Sequence, residues 1–133
     1  MYYFAYGSNL NRNQMKERCP GAKPFSKATL PNYKLIFTGW SRNWRGGTAS
    51  IKPFRDEKVI GGVYEISEND LKSLDKYEGY PAIYNHINVI VFTQDDEPVK
   101  AVTYIKVEQS DETKPSAEYL AILQKGFKDW GLI

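Results

Sequence analysis

Glu78 stands where a leucine would be expected. Between Ser67 and Gly79, Leu71, Leu74 and position 78 fall at i, i+3 and i+7, one face of a helix, yet the third of them is a glutamate. Ser67-Glu68-Asn69-Asp70 opens that helix with a capping signature and Gly79 stops it, so Glu78 sits in the last turn, at the negative end of the helix dipole. An acid turned toward a core, beside Tyr77, Tyr80, Pro81 and Ile83 and with Lys76 facing elsewhere at i−2, keeps its proton to higher pH. It can then exchange that proton near neutrality, as general acid/base work requires. The plain alternative is an exposed glutamate in a fraying last turn.

The second chemical feature is a loop of main-chain donors. Met1 to Ala5 is aromatic and strand-favouring, Tyr6-Gly7-Ser8-Asn9-Leu10 follows, and Asn11 to Arg18 favours a helix. A strand-to-loop-to-helix passage aims successive N–H groups at one point, where an anion or a developing oxyanion can sit. Gly7 permits close approach, Ser8 and Asn9 suit the start of a helix, and Tyr6 offers a wall. The same residues also suit an ordinary capped turn. A third stretch, Ser41 to Ile51, interleaves Trp44 with Arg42 and Arg45 beside Trp40, a pattern able to stack on bases or clamp a carboxylate, or simply to close a core edge under solvated arginines.

Other chemistries find no footing. His86 lies on an alternating strand with no companion His, Cys or paired carboxylates, so it reads as a structural residue, and no metal or other cofactor is expected. Cys19 ends a helix, far in sequence from the one histidine, and reads as a small buried residue. P-loop, Rossmann, HExxH and GxSxG elements do not occur. A net charge of +2 falls short of a dedicated nucleic-acid binder. The single cysteine, the lack of a long apolar run and a start directly in strand-like sequence lead us to expect a cytoplasmic chain without membrane attachment.

These residues must be positioned by one domain, since 133 residues bury about two-thirds of their unfolded surface in a single core. Strands are expected at Ala22 to Leu30 and Tyr33 to Trp40, turning at Pro31-Asn32, and at Lys58 to Ile66, where Gly61-Gly62 must admit another backbone or a ligand. Tyr84 to Phe92 and Val99 to Val107 form a hairpin, Glu108 to Lys114 is a polar connection, and Pro115-Ser116 opens a final helix carrying Tyr119, Leu120, Leu123 and Phe127. The order strand, helix, several strands, helix, two strands, helix predicts an α+β fold: a small mixed, largely closed β-barrel with flanking helices over residues 1–133.

In chain order, Tyr3-Phe4-Ala5-Tyr6-Gly7-Ser8-Asn9-Leu10, Trp44-Arg45-Gly46-Gly47-Thr48-Ala49-Ser50-Ile51, and Leu74-Asp75-Lys76-Tyr77-Glu78-Gly79 followed by Tyr84 resemble successive signatures of the γ-glutamylcyclotransferase superfamily, which includes AIG2-like proteins. Val102-Thr103-Tyr104 and Pro115 to Tyr119 resemble later segments of the same family. The resemblance implies an enzyme that cyclises a small-molecule γ-glutamyl substrate to 5-oxoproline, with Glu78 as acid/base. Tyr6, Gly7, Ser8, Asn9, Leu10, Tyr84, Tyr104 and Tyr119 would contact substrate. No cofactor and no nucleic-acid or membrane partner are expected, and a monomer or homodimer, with the choice between these left open. Which γ-glutamyl compound is used, and whether Arg42, Arg45 or the loop N–H groups hold its carboxylate, stays open. The rival reading is a non-catalytic binding module that presents Trp40, Arg42, Trp44 and Arg45 to an acidic ligand or nucleic acid.

Overall fold

The computed structural model describes residues 1–109 and 111–133. It runs β1 (Tyr2–Ala5), a 3-10 turn (Ser8–Leu10), α1 (Arg12–Arg18), β2 (Lys23–Ser41), β3 (Gly46–Glu65), α2 (Glu68–Glu78), β4 (Tyr84–Thr93), β5 (Pro98–Lys106) and α3 (Ala117–Asp129). The strands close into a barrel in the order β1-β3-β2-β4-β5, so the expected mixed barrel with flanking helices is the observed architecture. Closure comes from the parallel pairing of β1 with β5, Tyr3 opposite Val102, while the remaining pairs are antiparallel. A closed sheet leaves no unpaired edge to be covered. Among the described residues no helix is long and apolar enough to cross a membrane.

Pro31-Asn32 does not end a strand, contrary to the expectation of two strands there. β2 pairs with β3 from Lys23 opposite Glu65 to Ser41 opposite Gly46, and between Pro31 and Tyr33 the pairing merely shifts register, as it also does between Pro24 and Ser26 and between Thr38 and Ser41. Asn32 and Asp56 both adopt left-handed backbone (φ 62° and 69°), and the Asp56 N–H donates to Asn32 Oδ1 at 3.2 Å. The turn-prone pair is absorbed as a bulge, which bends one long ribbon instead of reversing it. The reversal comes at Ser41 to Gly46, where the Arg45 N–H donates to the Ser41 carbonyl at 2.7 Å. β3 therefore starts at Gly46, the first residue of the double glycine.

A Cβ on Gly46 would lie 2.8 Å from the Lys114 carbonyl oxygen, and one on Gly47 would lie 2.7 Å from that of Thr113, so the glycine pair lets the connection to α3 run against the ribbon. Ser110, in that connection, lies outside the described residues. At Gly61 and Gly62 the close neighbours are protein: a Cβ would stand 2.9 Å from the Phe4 ring and 2.6 Å from the Trp130 ring, respectively.

Alternation along β1 builds two cores. Phe4 and Tyr6 point into the barrel with Ile51, Val63, Val91 and Leu123, whereas Tyr3 and Ala5 face the helices with Leu10, Met15, Leu74 and Trp130. α2 has the expected capping box: Ser67 Oγ accepts from the Asp70 N–H at 3.1 Å and the Asp70 carboxylate accepts from the Ser67 N–H at 2.9 Å. Gly79 ends the helix in left-handed conformation (φ 68°). α3 starts at Ser116, whose Oγ accepts from the Tyr119 N–H at 3.2 Å.

Candidate active site

Where β1 leaves the sheet, Gly7 to Leu10 coil into the 3-10 turn against the end of α3. Tyr6, Gly7, Ser8 and Asn9 line a cavity of about 40 Å³ together with Glu78 from α2, Tyr84 from β4, Tyr104 from β5 and Tyr119 from α3. Tyr3 and Ala49 complete the wall. Ser8, Glu78, Tyr84 and Tyr119 also border an open groove of about 780 Å³, so the cavity is the inner end of a larger depression.

Leu10 alone among the sequence-predicted site residues lies outside the cavity. Its side chain is fully buried among the helices, its N–H donates to the Gly7 carbonyl at 3.0 Å, and its carbonyl accepts from Trp130 Nε1 at 2.9 Å. It braces the turn from behind. The Asn11 N–H likewise donates to the Ser8 carbonyl at 3.1 Å, so the N–H groups of Leu10 and Asn11 are both engaged, and of the turn it is Gly7, Ser8 and Asn9 that line the cavity. Neither Ser8 nor Asn9 caps α1; Asn11 does, its Oδ1 accepting from the Gln14 N–H at 3.1 Å. Space at Gly7 is tight, since a Cβ there would stand 3.2 Å from the Ala49 Cβ. Asn9 is buried, with Oδ1 accepting from Arg18 Nη1 at 2.7 Å and Nδ2 donating to the Tyr3 oxygen at 2.9 Å.

The tyrosines are fixed by their hydroxyls. Tyr6 donates to the Tyr104 carbonyl at 2.7 Å, Tyr84 to the Ala49 carbonyl at 2.7 Å, and Tyr104 to Asp75 Oδ1 at 2.6 Å. The Tyr119 oxygen accepts from the Ala49 N–H at 2.9 Å, so both main-chain polar groups of Ala49 are held by site tyrosines. Burial raises the pKa of each of these phenols, so they enter any chemistry as neutral hydroxyls.

Glu78 is half-buried, and its removal from water pushes its carboxyl up to about 7, against the opposing pull of Arg18 and Lys106. Those two cations were missed in sequence because they come from α1 and from the end of β5. The register places Lys106 opposite Tyr84. Its Nζ donates to the Thr38 carbonyl at 2.6 Å and the Thr48 carbonyl at 3.3 Å; burial lowers its pKa while Glu78 opposes that shift. Arg18 stands over the Tyr77 ring, 4.5 Å from its centroid.

The aromatic and arginine loop divides. Trp40, Arg42 and Trp44 border the groove, and Arg45 does not. Trp44 is half-buried against Tyr119, ring centroids 5.2 Å apart, which leaves Trp40, 72% exposed, as the one open ring of the stretch. A stacking surface built from all four residues is therefore not assembled. His86 sits beside Asp75 Oδ1 at 2.9 Å and stacks on Tyr80 at 4.2 Å, partners that account for it structurally. Cys19 is buried, its thiol pushed up to about 11 mainly by desolvation, far from a nucleophile's range. Among the described residues no group of three or more His, Cys, Asp or Glu is arranged to hold a metal.

The profile of the family described as Gamma-glutamyl cyclotransferase, AIG2-like, matches residues 3–122. The chain is similar to the gamma-glutamylcyclotransferase of Bos taurus, at 35% identity over 98% of this chain and 71% of that protein. Similarity to the gamma-glutamylcyclotransferase of Homo sapiens is of the same extent, 35% identity over 98% of this chain and 71% of that one. A solved structure of a gamma-glutamyl cyclotransferase superposes with a TM-score of 0.94 at 34% identity, covering 99% of this chain and 80% of the other.

Proposed function

This chain belongs to the AIG2-like gamma-glutamyl cyclotransferase family and is an enzyme of that kind, and from this premise we propose that it closes the γ-glutamyl group of a small molecule into 5-oxoproline, with Glu78 as the acid/base. The substrate's α-amine attacks its own δ-carbonyl carbon, a new C–N bond closes a five-membered lactam, and the bond to the attached amine breaks. The α-ammonium gives up two protons on its way to the lactam N–H, one before attack and one as the ring closes, and the departing nitrogen takes up one as its bond breaks and a second from solvent as it becomes an ammonium. A single carboxyl that accepts the ring-closure proton and delivers it to the departing nitrogen balances the bond-changing step, the first proton passing to solvent.

The observation that carries the reading is the presence of Glu78, with its carboxyl raised to about 7, in the same cavity wall as the Gly7 to Asn9 turn. Holding amine and carbonyl together contributes about 7 to 11 kcal/mol in favourable intramolecular cases. Removing the proton of an α-ammonium of pKa about 7.7 to 8.0 at pH 7 costs only about 1 to 1.5 kcal/mol. The demanding parts are therefore the charge on the carbonyl oxygen and the protonation of the leaving nitrogen. The turn N–H groups of Gly7, Ser8 and Asn9 serve the first and Glu78 the second, while Tyr6, Tyr84, Tyr104 and Tyr119 shape the cavity around the glutamyl half. In this reading the compartment is the cytoplasm, in keeping with the single unpaired Cys19.

The test is release of 5-oxoproline across a panel of γ-glutamyl amino acids, amines and peptides, with wild type beside Glu78→Gln. We expect the variant to fold and its turnover to fall by about 10²- to 10⁴-fold. Wild-type turnover in Glu78→Gln would remove that residue from the mechanism.

A further inference from the structure

A phenol has one proton to give, so the hydroxyls around the cavity can be sorted by where that proton goes. Tyr6, Tyr84 and Tyr104 spend theirs on the Tyr104 carbonyl, the Ala49 carbonyl and the Asp75 carboxylate. Tyr3 differs, through a sequence of forced choices. The Arg18 guanidinium only donates, so the Asn9 amide atom 2.7 Å from it is the oxygen. The other amide atom, 2.9 Å from the Tyr3 oxygen, is then the NH₂, and it donates. The Tyr3 oxygen is thus an acceptor, and its own proton meets no acceptor among the described residues. Tyr3 is 4% exposed and lines the inner cavity but not the groove. Tyr119 also accepts at its oxygen, but it borders the groove as well.

We propose that Tyr3 is a further substrate-touching donor in the reaction, giving its O–H as a hydrogen bond to the δ-carbonyl oxygen as that oxygen takes up negative charge, beside the turn N–H groups. The inference rests on the cyclotransferase reading above. The Asn9 amide ties the hydroxyl to the turn, and residues carrying both kinds of donor line the one cavity. The chain from Arg18 through Asn9 polarises the phenol from behind and makes its O–H a stronger donor. Burial and the nearby Glu78 charge raise the pKa of Tyr3, so it gives a hydrogen bond without losing its proton. A permanent carboxylate on the substrate has better partners in Arg18, Arg42 and Lys106 along the groove, which leaves the neutral donor for charge that exists only in the transition state.

Tyr3→Phe removes the hydroxyl and keeps the ring. With whichever γ-glutamyl compound the wild type turns over, kcat should fall by about 10²- to 10³-fold, as when one oxyanion donor is lost, and KM should move by less than about threefold. A kcat within about twofold of wild type overturns the proposal. So does a raised KM with unchanged kcat, which would make Tyr3 a ground-state clamp. Should Tyr3→Phe fail to fold, fluorotyrosines introduced at position 3 keep the shape and vary the acidity of the phenol; kcat should then track that acidity, and a flat response overturns the proposal. A wild type that releases 5-oxoproline from no γ-glutamyl compound sinks the underlying cyclotransferase reading, an outcome visible before any variant is made.

Discussion

A carboxyl held at about 7 costs the fold stability whenever it is ionised. The native pKa of Glu78 lies above its ordinary value of 4.5, so the native state holds a proton that the unfolded chain has released. Stability from this group is therefore full below about 4.5, is lost as pH rises through the window to about 7, and is flat above it; the loss amounts to about 3 kcal/mol at about 1.36 kcal/mol per unit. Gln is the permanent mimic of the protonated form. Glu78→Gln should accordingly match wild type in thermal midpoint near pH 4 and exceed it by several degrees near pH 8, read from melting curves across that range. A constant difference would show that Glu78 is not desolvated in the native state. Helical spacing raised Glu78 as a candidate, because the leucines of its own helix say where it faces, but an exposed last-turn glutamate fitted the same pattern and only the family resemblance separated the two. Arg18 and Lys106 were not legible, since nothing local ties either to α2. Tyr3 was hidden for another reason: an aromatic at an alternating strand position reads as core, and only its bond to Asn9 marks its hydroxyl as different.

At the scale of elements, α3 holds the turn in place through one stripe. Tyr119, Leu123 and Gly126 are its buried residues, and Trp130 closes the helix with its indole N–H on the Leu10 carbonyl. At the third position of that stripe the helix lies directly on the turn: a Cβ on Gly126 would stand 2.6 Å from Asn11 N and 2.8 Å from both Leu10 C and Leu10 Cβ. In an open helix, Gly→Ala stabilises by about 1 kcal/mol. Gly126→Ala should do the reverse, destabilising by about 1 to 3 kcal/mol in urea unfolding and lowering kcat, because backbone must move and the Gly7 to Asn9 donors move with it. A stabilised, fully active variant would show that the contact yields freely. The helices were readable because caps are local: Ser67, Asp70, Gly79 and Ser116 announce their ends within a few residues. The β2–β3 ribbon was not, because Pro31-Asn32 has the chemistry of a turn, and only the matching left-handed Asp56 on the other strand shows that both strands bend together there.

For the whole molecule, the site lies on the seam between the two cores. Tyr6 and Tyr119 belong to the barrel interior, and Tyr3, Tyr84 and Tyr104 to the layer under the helices, so the cavity wall draws on both cores. The groove beyond is bordered by the exposed Trp40, Tyr77 and Ile83. A cavity of about 40 Å³ opening into a groove of about 780 Å³ assigns the two halves of a substrate unequal tolerance. In the proposed reaction the glutamyl half enters the inner end, where Glu78 and the turn line one cavity, and the departing amine lies outward. In a tight pocket one added methyl costs about 1 to 3 kcal/mol, or about 10- to 200-fold in rate. A methyl on the α-carbon of the glutamyl half should thus lower kcat/KM by at least about tenfold. Exchanging the leaving group from alanine to phenylalanine should change it by less than that, since the groove has room and apolar surface for the larger ring. The comparison is made with matched γ-glutamyl dipeptides by 5-oxoproline release, and the opposite ranking would place the leaving group, not the glutamyl half, in the closed end of the site.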